Sequence, residues 1–108
     1  MIDLDSLEHE AKHEPYEFTS GGGKKKWRLP HVADLPLGAQ RAADLGAFDV
    51  VMRECGERWD ARKKDWVRAG QLGAAMFLEM HNDQIGAFRV LYLAHAGLKP
   101  GESRASSH

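Results

Sequence analysis

The sequence predicts a mainly α fold, a small helical domain of about four helices with an N-terminal β-hairpin. Three observations predict it. Apolar residues recur at helical spacing through most of the chain after Pro30. Gly46, Gly56 and Gly97, with Pro100, fall where those periodic runs stop. Before Pro30, two short runs alternate apolar and polar residues around a glycine-rich connector.

The alternating runs are Tyr16-Glu17-Phe18-Thr19 and Lys26-Trp27-Arg28-Leu29, joined by Ser20-Gly21-Gly22-Gly23-Lys24-Lys25. A hairpin alone is unstable in water, so one of its faces is expected to lie on the helices. Asp34 is expected to cap a first helix with Pro36 in its first turn, running through Leu37, Arg41 and Leu45 to Gly46. Phe48, Val51, Met52 and Cys55 mark a second helix that ends at Gly56. The charged segment from Glu57 to Asp65 reads as a loop or exposed helical turn. Asp65 is expected to cap a third helix with a buried stripe of Trp66, Ala69, Gly73, Met76, Phe77 and Met80. After a break at His81-Asn82-Asp83, Ala87, Val90, Leu91, Ala94 and Leu98 are expected to line the last helix, with Phe88 and Tyr92 beside them. Upstream, Leu4, Leu7 and Ala11 suggest a short helix over residues 3–13, stopped by Pro15.

The 108 residues suit one domain. The expected organisation is an acidic arm over 1–14, a single domain over 15–98 with its hairpin at 16–29, and a flexible polar tail over 99–108. Hydrophobic residues make up 43% and charged residues 29%, which argues against a wholly disordered chain. The lone Cys55 excludes an internal disulfide, so nothing demands an oxidising compartment. No apolar run approaches the ~20 residues of a membrane span, and the acidic start is unlike a secretory signal. The expected location is the cytoplasm.

Charge is uneven although the net value is −1. Residues 1–19 hold six acids and one base, whereas the remainder holds ten acids and fourteen bases. Such an arm is expected to fold back on the basic body, to contact a basic partner, or to remain solvated.

His9-Glu10-Ala11-Lys12-His13 matches the H-E-x-x-H zinc pattern, which needs both histidines on one helical face and a third ligand in a cleft. A short charged segment followed by Pro15 is a poor setting for it, so no metal, cofactor or catalytic residue is assigned and no enzyme is expected. Lys24-Lys25-Lys26-Trp27-Arg28 joins cations to an aromatic, as in nucleic-acid contacts. A hairpin turn also uses lysines to keep its edge soluble, and nucleic acid is not the expected partner. Cys55 on an apolar helical face reads as an inert buried thiol. Met76, Phe77 and Met80 near Trp66 form a soft apolar cluster of the kind that accepts varied partner helices, though such clusters also serve as plain core. Trp59, Trp66, Gly73, Met76, Phe77 and Met80 are therefore the candidate protein-binding residues. Gly70 and Gly73 would let a second helix approach closely.

The layout resembles the tail assembly chaperones of long-tailed phages that infect actinobacteria. The resemblance is specific in Leu29-Pro30-His31-Val32-Ala33-Asp34-Leu35 and in Gly101-Glu102-Ser103-Arg104-Ala105-Ser106-Ser107. It implies a protein that binds and solubilises the tape-measure protein in the host cytoplasm and helps recruit tail-tube subunits. Such a protein is absent from the mature virion. It also implies that a longer frameshifted form could begin near the tail. Two other readings stay open: a structural head–tail adaptor or completion protein, and a small nucleic-acid-binding regulator. A chain of this size with spare apolar surface is expected to form a homo-oligomer.

Overall fold

A computed structural model describes residues 1–11 and 13–97. It corrects the fold class from mainly α with one hairpin to mixed α and β. Among the described residues, four α-helices accompany a four-stranded antiparallel sheet. The strands are β1 (Tyr16–Ser20), β2 (Lys25–Leu29), β3 (Glu57–Asp60) and β4 (Asp65–Arg68), in the order β1-β2-β3-β4. The helices are α1 (Leu37–Asp44), α2 (Phe48–Cys55), α3 (Gly70–Leu78) and α4 (Asn82–His95). The expectations for Leu98 and for the tail over 99–108 lie outside the described residues.

The first hairpin forms where alternation placed it. Phe18 pairs with Trp27 and Tyr16 with Leu29, so all four aromatic or aliphatic side chains share one face. That face carries the core, with Trp27 and Leu29 buried and Tyr16 and Phe18 packed against them.

The second hairpin replaces the expected loop and the start of the expected third helix. Its residues, Glu-Arg-Trp-Asp and Asp-Trp-Val-Arg, obscure a period of two because both faces carry charge. Side-chain chemistry specifies the turn. The Asp60 carboxylate accepts from the backbone N–H of Arg62 at 2.9 Å, and Lys64 takes a left-handed φ of 52°. Trp59 then faces Trp66 directly across the strands, with ring centroids 5.6 Å apart. Arg28 joins this pair, its guanidinium 4.4 Å from the Trp66 ring centre.

Strand register builds one further feature. Glu17 lies opposite Arg28, Arg28 opposite Glu57, and Glu57 opposite Arg68, so acid and base alternate across all four strands. Arg28 Nε donates to Glu57 Oε1 at 2.8 Å within this row.

The helices follow their patterns unevenly. In α2, Phe48, Val51 and Met52 are buried as their spacing predicts. In α1 the buried residues are Ala39 and Ala43, while Leu37 and Leu45 face solvent. Asp34 does not cap α1; it closes a short turn over Val32–Asp34, and Pro36 precedes the helix. The third helix begins at Gly70, after the second hairpin. Gly73 meets α2 so closely that a Cβ there would collide with the Met52 side chain. The helix it admits is therefore one of this chain's own. Residues 3–13 form no helix among the described residues, only a single turn at Leu4–Ser6.

The last helix is turned relative to expectation. Tyr92 and Leu93 are buried, and Ile85, Phe88 and Ala96 pack against the core. Phe88 is central, with its ring 4.9–5.0 Å from those of Phe18, Phe48 and Phe77. Aromatic side chains remove more area from water than alanine or valine, so the Phe88–Tyr92 stripe takes the core. Ala87, Val90, Leu91 and Ala94 are left outside.

Candidate binding surfaces

Three places collect unusual side chains. The first is the root of the N-terminal arm. His9 Nε2 lies 3.3 Å from Asp34 Oδ1, and His13 Nδ1 lies 3.4 Å from Asp34 Oδ2. The His13 backbone N–H also donates to Oδ2. The His13 ring stacks on His31 with centroids 4.3 Å apart. His95 Nε2 donates to the Glu14 carbonyl at 2.9 Å. Both histidines of the H-E-x-x-H pattern thus address one carboxylate. Among the described residues no group of three or more histidine, cysteine or acidic side chains is placed to hold a metal ion.

The segment Leu29–Leu35 is the hub of this end. Leu29, Val32 and Leu35 are buried, the Pro30 carbonyl accepts from the Tyr92 hydroxyl, and Asp34 receives the arm. Burial pushes the Tyr92 phenol well above its ordinary range, with Cys55 and Asp34 adding to the effect. Burial likewise pushes the Cys55 thiol up, helped by Glu54 and opposed by Arg68. A thiol held in its neutral form is a weak nucleophile.

The second place is an open groove of about 550 Å³ between the hairpin turn and α3. Lys24, Lys25, Lys26 and Arg58 supply its charge, against Glu79 at the C-terminal end of α3. Trp59, Leu72 and Met76 supply apolar contact, and Leu72 is 62% exposed. Trp27 closes the inner end, where its Nε1 donates to Ser20 Oγ at 2.8 Å.

The third is the outer face of α4. Ala87, Val90, Leu91 and Ala94 follow the three–four spacing of a helix-packing seam, all on the solvent side. Val90 is 44% and Leu91 57% exposed.

The six binding residues expected from sequence are split by the fold. Trp59 and Met76 meet in the groove. Gly73 and Phe77 are buried, Phe77 among the core rings. Met80 packs against the core, and Trp66 lies under Arg28 beside Trp59. Sequence reading missed the outer face of α4. A helical projection that gave the core to the aromatic stripe would have found it, since Ile85, Phe88 and Tyr92 lie on a different face from Ala87, Leu91 and Ala94. It also missed Arg58 and Leu72, whose roles depend on the unforeseen second hairpin.

Comparison with protein-family models, with curated proteins and with solved structures finds no match to this chain.

Proposed function

We propose that this protein is a tail assembly chaperone of a long-tailed phage, which holds the helical, apolar tape-measure protein soluble in the host cytoplasm. The observation that carries the reading is α4, apolar on two faces but packed on only one. An unpartnered seam of Ala87, Val90, Leu91 and Ala94 matches the mode in which an amphipathic client helix lays its apolar side on a second helix. Small residues at both ends and branched residues in the middle let a client backbone come close without a deep pocket.

The stretch Leu29–Leu35, which carries the resemblance to such chaperones, supports the reading in another way. Its residues join the hairpin, the arm and α4, so it serves architecture rather than chemistry. A holding protein needs that and no reactive group. Recruitment of tail-tube subunits belongs to the same proposal.

The test is co-expression with the tape-measure protein, scored by its solubility and co-purification. Wild type is expected to hold the client in the soluble fraction. A Val90→Asp/Leu91→Asp variant, folded by circular dichroism, is expected to lose it. Retention of the client by that variant would remove α4 from the account.

A further inference from the structure

We propose that the groove is the docking site for the acidic arm, Met1–Glu8, of a second copy of this chain. This inference stands on charge and geometry and does not rest on the chaperone reading.

The arm carries acids to meet the groove's four cations, which outnumber its single Glu79. Asp3, Asp5 and Glu8 alternate with Ile2, Leu4 and Leu7. The Asp3 carboxylate accepts from Asp5 N–H at 3.0 Å and winds Leu4–Ser6 into one turn. Yet Ile2, Leu4 and Leu7 stand 68%, 75% and 61% exposed. An ordered turn with three large apolar side chains in water is a segment prepared for a partner. The groove offers the complement, with Lys24, Lys26 and Arg58 for the acids and Leu72 and Met76 for the leucines. Opposite charge steers such an encounter, and the apolar contacts hold it.

The occupant is assigned to a second copy because the chain's own arm lies away from the groove. His9 and His13 fix the arm's root at Asp34, beyond the Leu29 end of the first hairpin. The groove lies at the opposite end, beside Ser20 and Lys24. The chain's own arm lines no part of the groove. A donor at one end and an acceptor at the other build either a reciprocal pair or a head-to-tail chain.

Sedimentation of the full-length protein tests this. Wild type is expected to assemble into dimers or larger species, with association weakening about tenfold between roughly 0.05 and 0.5 M salt. An arm variant, Leu4→Asp/Leu7→Asp, and a groove variant, Lys24→Glu/Lys26→Glu, change exposed residues only. Each is expected to be monomeric alone, and their equimolar mixture to form a heterodimer, because one molecule keeps an intact arm and the other an intact groove. Monomeric wild type would overturn the proposal. So would assembly that survives both variants, which would point to another surface such as the outer face of α4. A mixture that stays monomeric would overturn it as well.

Discussion

The two faces of α4 differ in fate more than in composition. One carries Ile85, Phe88, Tyr92 and Leu93, and is covered by the hairpin, α2 and α3. The other carries Ala87, Val90, Leu91 and Ala94, which are exposed. Both are apolar, so hydrophobicity alone does not choose between them. Ring area does: the aromatic face removes more surface from water and makes edge-to-face contacts besides. The lesson is that the larger stripe goes to the fold, and the smaller is left exposed.

Substitutions should separate the faces sharply. Phe88→Ala opens a hole among Phe18, Phe48 and Phe77, and is expected to cost about 3 kcal/mol in urea unfolding. A cost under about 1 kcal/mol would mean that the ring cluster is loosely packed.

Tyr92→Phe is a milder test of the inner face. It removes the hydrogen bond to the Pro30 carbonyl and should cost about 1 kcal/mol at neutral pH. The pH profile gives it a signature. The folded state raises the phenol's pKa, so the stability tied to its neutral form is complete below about pH 10 and is lost as pH rises beyond. Wild type is therefore expected to lose more stability than Tyr92→Phe when unfolding is followed above pH 10. Parallel profiles would show that the phenol is not held neutral by burial.

The two hairpins extend the comparison to the sheet. The first is held by buried Trp27 and Leu29, the second by its turn, the Trp59–Trp66 pair and the charge row. Glu57→Lys places a third cation between Arg28 and Arg68, and is expected to cost roughly 0.5–1 kcal/mol by thermal unfolding, less at high salt. Insensitivity to salt would mean that the row contributes through packing alone. At the small end, Val90→Asp and Leu91→Asp should each shift stability by no more than about 0.5 kcal/mol. A larger loss would show that the outer face of α4 is covered in the protein alone.

These contrasts explain what could be read in advance. Tyr16, Phe18, Trp27 and Leu29 announce the first hairpin because burial on one face imposes alternation. Phe48, Val51 and Met52 announce α2 because burial on one helical face imposes a three–four spacing. The second hairpin stayed hidden because Glu57, Arg58, Asp60 and Asp65 put charge on both faces, and the pairing that fixes it lies between strands. Leu37 and Leu45 misled the reading of α1, where the small Ala39 and Ala43 permit close packing and take the core. Phe77 illustrates the same limit at the candidate site. A methionine–aromatic stripe reads equally as core or as client surface, and the ring contacts to Phe18, Phe48 and Phe88 assign it to the core. Phe77→Asp, an obvious interface probe from sequence, would unfold the protein instead. The aspartate of Leu29–Leu35 looked like a helix cap, but the arm that claims it comes from more than twenty residues away.

The most direct test of the central claim is the soluble yield of tape-measure protein co-expressed with wild type and with Val90→Asp/Leu91→Asp. A soluble client with wild type and an insoluble one with the folded variant is the expected result. A client kept equally soluble by both, or by neither, would contradict the assignment of the outer face of α4 as the holding surface.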